Sequence, residues 1–252
     1  MISTSERVSR LKAASEPQGA AGNLAHADLR GADLARLSVA HVSLSHANLD
    51  GANLASAHLR FVDLSHASLR GACLERAHLE FVDAAGAVLA GAQAAKSRWE
   101  LVDLSLADLT GANLSRALLR SCQLERARLD EADLTLATLF YCQCQGASLQ
   151  RALLDRVNAD GSNLAGADLS GARRFATCRQ AVVEVLRRHI GDDLSRARLV
   201  GAVAMNERWC YAEWARLLEF EPHYRELACE LFRDYPESGF VEALQQGAEP
   251  SP

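Results

Sequence analysis

The sequence lacks the features of a membrane, secreted or nucleic-acid-binding protein. It has no apolar run long enough to cross a bilayer and no charged-then-apolar leader. Its net charge of −5 is mild, which does not indicate a nucleic-acid partner or a strongly acidic tail. Its seven cysteines show no paired spacing, so reduced thiols and a cytoplasmic location are expected.

Catalytic signatures are also missing. There is no glycine-rich phosphate loop, no H-E-x-x-H, no G-x-S-x-G and no C-x-x-C. We therefore predict that the protein is not an enzyme and needs neither a metal nor another cofactor.

What the sequence does contain is a five-residue repeat. From 22 to 172 an apolar residue, most often leucine, occupies every fifth position, and the residue two places before it is small except at Leu37. The unit reads A-(D/N)-L-x-x, in about thirty copies. A period of five fits neither an amphipathic helix nor a simple alternating strand. Each unit is instead typical of a short extended segment with two inward side chains, followed by a corner.

A second period of twenty residues sets the number of sides. Phe-Val-Asp at 61–63 returns at 81–83, and Leu-Val-Asp follows at 101–103. Glycine recurs with the same period, at Gly31, Gly51, Gly71, Gly91 and Gly111. Because twenty is four fives, the sequence predicts a four-sided coil that makes about seven and a half turns.

These units resemble the pentapeptide-repeat family. Segments such as Ala27-Asp28-Leu29-Arg30-Gly31 and Ala52-Asn53-Leu54-Ala55-Ser56 match its consensus. The resemblance implies an all-β solenoid, a right-handed quadrilateral β-helix over residues 21–175. Function varies within the family, so the resemblance concerns the fold.

The two ends of the chain depart from the repeat. Residues 1–20 are interpreted as an N-terminal cap or a flexible tail, and 176–247 as a small α-helical domain before a disordered tail, 248–252. Thr177 is expected to cap the first C-terminal helix, which would reach Ile190. The segment 192–205 fits either a helix or a further repeat pair. Later helices are expected from Asn206, over 221–235 and over 238–246.

Two outward columns of the coil are candidates for partner binding. The first is aromatic or apolar and either stacks on itself or binds a partner through an exposed strip; it comprises Phe61, Phe81, Leu101 and Tyr141. The second is acidic and either accepts backbone N–H groups at the corners or forms an acidic groove; it comprises Asp63, Asp83 and Asp103.

Three other sets have simpler interpretations. The stacked histidines His26, His46 and His66 are expected to form a solvated ladder rather than a metal site. The cysteines near the end of the array are expected to fill the core, namely Cys122, Cys142 and Cys144. A basic column is expected to offset the acidic ones, and it comprises Arg36, Arg76, Lys96, Arg116 and Arg156.

The sequence thus favours a non-catalytic protein-interaction scaffold with an unidentified protein partner and neither a nucleic-acid nor a membrane partner. The family resemblance implies an alternative, since some members mimic B-form DNA, bind type II topoisomerases such as DNA gyrase and protect them from antibiotic poisons. Those members are strongly acidic, whereas residues 21–172 carry seventeen acidic and thirteen basic side chains. A homodimer through the C-terminal region remains open.

Overall fold

The computed structural model describes residues 9, 11, 22–188, 194–205, 217 and 223–240. Of the helix expected from Asn206 the structure describes Leu217, which is helical. The end of the helix expected over 238–246 and the tail 248–252 lie outside the described residues. Ser9 and Leu11 are helical, and Leu11 is fully buried in the core.

The repeat folds as a parallel β-solenoid with a twenty-residue coil. One face is a six-stranded sheet in sequential order, made of β1 (Ser38–Ala40), β2 (His58–Arg60), β3 (His78–Glu80), β4 (Arg98–Glu100), β5 (Leu118–Arg120) and β6 (Thr138–Phe140). Its register pairs each residue with the one twenty positions later, as Val39 with Leu59. Single-residue bridges with the same offset form the other faces, from Asn23↔Ser43 to Leu153↔Arg173. The predicted four-sided coil is therefore confirmed.

We number the faces by the chain order of their bridges. Face 1 contains Asp63, face 2 contains Ser68, face 3 contains Cys73 and face 4 is the sheet β1–β6. Each face presents one outward side chain between two inward ones, because successive side chains of an extended segment point to opposite sides. The inward pair is small then large, as in Ala52 and Leu54, and both are buried. Burial of each such leucine contributes about 1.5–3 kcal/mol.

The corners require left-handed backbone. The fifth residue of each unit has a positive φ, for example 61° at Gly31, 52° at Phe61 and 60° at Lys96. A turn hydrogen bond closes most corners, as from the Ala67 N–H to the Leu64 carbonyl at 2.9 Å. Glycine adopts this conformation without steric cost, which explains the glycine column, but most corners are occupied by other residues.

One coil replaces the leucine pattern with a different packing solution. Its inward residues include Ala84, Ala94 and Trp99, which together have as many side-chain heavy atoms as three leucines and are all buried. The Trp99 indole N–H donates to the Ser97 hydroxyl at 2.7 Å. That hydroxyl donates to the Ala94 carbonyl at 2.6 Å, so the buried polar groups are satisfied.

Helices follow the last bridged residue, Arg173. They are a 3-10 turn (Phe175–Thr177), α1 (Arg179–Arg188), α2 (Leu194–Met205), α3 (His223–Leu231) and a second 3-10 turn (Pro236–Ser238). The ambiguous segment 192–205 is thus helical over its described part. None of the helices in the described ranges has the length and apolar character needed to cross a bilayer.

The expected capping role of Thr177 is wrong. Thr177 ends the first 3-10 turn, and its hydroxyl accepts the Arg156 N–H of the preceding coil at 3.3 Å. The Arg156 N–H at the corner of that coil thus takes the Thr177 hydroxyl, which is then not used to cap α1.

The helices are joined to the last coil by both polar and apolar contacts. The Glu184 carboxylate accepts the Gly166 N–H at 3.0 Å and the Arg188 Nε–H at 3.1 Å. Arg179 pairs with Asp160 at 2.7 Å. Phe175 packs against Phe232 and Tyr235 of the helical region, with ring centroids 5.9 and 5.7 Å apart. Leu169, in the final full unit, is fully buried in the same core cluster as α1.

Candidate partner-binding face

Three consecutive coils present Phe-Val-Asp, Phe-Val-Asp and Leu-Val-Asp at one edge of face 1. In each, a corner residue is followed by a buried valine, Val62, Val82 or Val102, and then by an aspartate at the middle of the face. The corner residue and the aspartate both point outward because only the valine between them points into the coil. Strict coil-to-coil register therefore places two outward columns side by side.

The corner column is an ordered, exposed ladder. The rings of Phe61 and Phe81 stack with centroids 4.9 Å apart and planes within 10°. Their side chains are 37% and 39% exposed, and Leu101 on the next coil is 47% exposed. The ladder has a further member that was not predicted. The His41 ring stacks on the Phe61 ring, with centroids 4.9 Å apart and planes within 12°. Its signal was its position, twenty residues before Phe61.

Tyr141 does not join this ladder. Ser121 stands between it and Leu101 in the same corner column. Tyr141 is 65% exposed, and its ring lies over Gly161, where a Cβ would stand 2.4 Å from the ring Cδ1. The structure therefore brings together three of the four predicted corner residues.

The acidic column is tied to the corners, as one of the two interpretations expected. The Oδ1 atoms of Asp63, Asp83 and Asp103 each accept the backbone N–H two residues later, at 2.9, 3.0 and 2.8 Å. Asp63 is bound further by hydroxyl donors, Ser65 to Oδ1 at 2.6 Å and Ser43 to Oδ2 at 3.0 Å. Among the described residues, none donates a hydrogen bond to Oδ2 of Asp83 or Asp103.

Hydrogen bonding lowers the pKa of Asp63. Partial burial opposes its ionisation, but the bonds from Ser65 and Ser43 stabilise the carboxylate and hold its pKa below the usual value. Asp63 therefore presents an ionised carboxylate at neutral pH.

The far corner of face 1 differs along its length. His26, His46 and His66 form the expected ladder, with centroids 5.0 and 5.1 Å apart. The ladder ends where the His66 ring lies over Gly86. One coil later Leu106 is 66% exposed. Leu106 was not predicted as a surface residue. Its sequence signal is that it lies outside the inward positions Leu104 and Leu109.

Two ion pairs border the corner ladder on the side of face 4. The Arg60 guanidinium lies 4.7 Å above the Phe61 ring and its Nε is 3.2 Å from Glu80. Arg120 lies 3.6 Å from Glu100. The predicted basic column from Arg36 to Arg156 occupies the corner between faces 3 and 4, so it does not neutralise face 1.

The cysteines fill the interior as predicted. Cys122, Cys142 and Cys144 are buried. The adjacent Cys142 thiol and burial together raise the pKa of Cys122, and burial raises that of Cys144. In the part of the chain that the structure describes, no three His, Cys, Asp or Glu side chains are grouped to hold a metal ion.

Comparison with known proteins agrees with this architecture. The family profile for pentapeptide repeats matches in eight copies, over residues 23–60, 40–76, 103–139 and 142–173. No curated protein sequence shows significant similarity to the chain.

Solved structures of pentapeptide repeat proteins also align with it. HetL, involved in heterocyst differentiation regulation in the cyanobacterium Nostoc sp. strain PCC 7120, is 29% identical; the alignment covers 60% of this chain and 84% of HetL, with a TM-score of 0.30. QnrB1, a plasmid-mediated fluoroquinolone resistance protein, is 20% identical over 65% of this chain and 85% of its own, also with a TM-score of 0.30.

Proposed function

Because the chain belongs to the pentapeptide-repeat family, we propose that it is a non-catalytic scaffold that binds a protein partner through face 1. We call the proposed contact surface the acidic-aromatic face and define it by Phe61, Phe81, Leu101, Asp63, Asp83, Asp103 and Leu106. The observation that carries the proposal is the exposed ladder Phe61–Phe81–Leu101, which is repeated in register on three coils.

This apolar strip is already ordered without a partner. Large aromatic side chains rimmed by polar groups are typical of protein interfaces. The stacked Phe61 and Phe81 rings lose little rotamer freedom on binding, so more of the contact energy appears as affinity. Parallel columns present their side chains at equal spacing and do not converge on a single point, which supports a binding role over catalysis.

Capture of partners by the full-length protein tests the proposal. The variant Phe61→Ser/Phe81→Ser/Leu101→Ser removes the ladder and leaves a small polar side chain at each of the three exposed corners. The control is Leu136→Ser, since Leu136 is 40% exposed at a corner with φ 58° away from face 1. We expect the triple variant to lose the proteins that the wild type and the control capture from an extract of the source organism. Equal capture by all three proteins would refute the proposal.

A second candidate, topoisomerase protection by DNA mimicry, is favoured by the acidic column, and QnrB1 is named as a fluoroquinolone resistance protein. Its weakness is the charge on face 1, where only Asp63, Asp83, Asp103 and Glu125 are acidic among the outward positions. We keep it as the alternative and propose the cytoplasm as the location for either role. A homodimer through the C-terminal helices also remains a proposal.

A further inference from the structure

We propose that the occupant of the acidic-aromatic face is a basic amphipathic α-helix of the partner, lying parallel to the solenoid axis. This inference rests on the proposed function and specifies the partner chemistry that the face recognises.

The negative charge of this face favours a positively charged partner. None of the outward positions in 61–66, 81–86 and 101–106 is lysine or arginine, whereas each segment contributes one aspartate. The nearby cations Arg60 and Arg120 are already paired with Glu80 and Glu100. Since Oδ2 of Asp83 and Asp103 receives no hydrogen bond from the described residues, each can accept one from a lysine or arginine of the partner.

Spacing decides the secondary structure of the partner. The ladder repeats every 4.9 Å between Phe61 and Phe81. Helix positions i, i+3 or i+4 and i+7 lie on one side of a helix and advance about 5.4 Å per turn. Over the two steps that separate three coils, these positions drift from the ladder residues by only about 1 Å. Same-side residues of a strand recur about every 6.8 Å and lose register after one step.

Shape agrees with this assignment. The middle of a face is an extended segment of three residues, about 10 Å long, and a helix with its side chains is about 10–12 Å wide. Phe81 and Leu101 raise one edge of face 1 and Leu106 raises the opposite edge, while the middle of the face carries the shorter side chains of Asp83 and Asp103. A helix laid along this shallow trough would bring apolar residues to the ladder and basic residues to Asp83 and Asp103.

Binding of designed peptides to the full-length protein tests the inference. The probe is a fluorescent peptide of about three heptads with leucine at i, i+3/i+4 and i+7 and lysine on the flanking positions. Two comparison peptides have the same composition, one with strict leucine–lysine alternation and one scrambled. The protein variants are Asp83→Asn/Asp103→Asn, whose amide oxygens still accept the corner N–H groups. The matched control is Asp33→Asn/Asp133→Asn on face 3, where both aspartates make the same turn bond.

We expect the helical peptide to bind most tightly, and the face 1 variant to weaken it about five- to tenfold and reduce its salt dependence. The face 3 variant should bind like the wild type. Equal binding of the alternating peptide, or equal effects of both double variants, would overturn the inference. Self-association of the wild type that Phe81→Ser abolishes would assign the face to a second copy and would also overturn it. If ladder removal abolishes partner capture while no helical preference appears, only the helix assignment fails; if capture survives, the proposed function itself fails.

Discussion

Corner residues carry both the strain and the surface chemistry of this molecule. A positive φ costs a non-glycine residue roughly 1 kcal/mol, yet twenty corners of the coil hold side chains there. Those side chains form the ladders at Phe61, His46 and Arg76, whereas the glycine corners present nothing. The backbone strain is therefore concentrated where the protein displays side chains, as expected for positions with a role in binding.

Two glycine corners separate the backbone requirement from packing. At Gly111 a Cβ would meet no atom within 4 Å, whereas at Gly161 it would meet the Tyr141 ring. We expect Gly111→Ala to lower the free energy of unfolding by about 1 kcal/mol, from the backbone alone. Gly161→Ala should cost more, and adding Tyr141→Ser should return it to the Gly111→Ala value. Urea denaturation measures all four proteins; no rescue by the Tyr141 change would contradict the contact.

The lowered pKa of Asp63 makes part of the stability depend on pH. A carboxylate whose folded pKa lies below its unfolded value stabilises the fold above the unfolded pKa, and this contribution is lost as pH falls through the folded one. We expect the free energy of unfolding to fall as pH drops below about 4. Asp63→Asn keeps the acceptor for the Ser65 N–H but should flatten this dependence. Identical pH profiles for the two proteins would show that Asp63 does not contribute.

At the scale of the element, a one-coil register was predictable because the five-residue unit recurs about thirty times and the twenty-residue period groups the units in fours. A slip by one residue would turn every leucine outward, so the inward phase specifies the pairing of Leu59 with Leu79 without ambiguity. Outward contacts were less predictable, because a ladder needs only a side chain at the right corner. His41 and Leu106 belong to face 1 by position, not by residue type.

The C-terminal helices had a weaker signal still. Single helical segments such as 194–205 have no repeat to average over, and their ends depend on tertiary partners. Thr177 shows the reason, since a donor twenty-one residues away in sequence took the hydroxyl that a local rule assigned to a cap. The seven predicted site residues could be placed on columns from the sequence, and Ser121 already separated Tyr141 from Leu101 there. Only the position of the Tyr141 ring over Gly161 required the structure.

The coil of Trp99 predicts a coupled set of substitutions. Trp99→Leu alone should leave a cavity beside Ala84 and Ala94 and lower the free energy of unfolding by about 2–4 kcal/mol. Combining it with Ala84→Leu and Ala94→Leu refills the layer and should recover most of the loss. Ser97 keeps its bond to the Ala94 carbonyl in either case. Chemical denaturation measures the free energy of unfolding of each variant and of their combination. If the changes in that free energy simply add, Trp99, Ala84 and Ala94 do not pack in one layer.

At the scale of the whole molecule, charge predicts a weak effect on DNA gyrase. Duplex DNA carries about one negative charge per 1.7 Å, so a rod of about 36 Å would need roughly twenty carboxylates towards the enzyme. The array has seventeen, distributed over four faces with thirteen basic residues among them. We expect weak or no protection of supercoiling against ciprofloxacin by the purified protein. Protection at low micromolar protein that fades with added salt would make topoisomerase binding the leading function.

The central claim, that one of four faces binds the partner, can be tested by photocrosslinking around the rod. A photoreactive amino acid placed at Phe81, Leu106, Glu131 or Lys96 samples one corner each, and all four residues already have positive φ, so the substitutions add no new backbone strain. With the captured partner present, the account predicts crosslinks from positions 81 and 106, on the two edges of face 1, and few from 131 and 96. Equal yields from all four corners, or the highest yield from position 96 or 131, would contradict it.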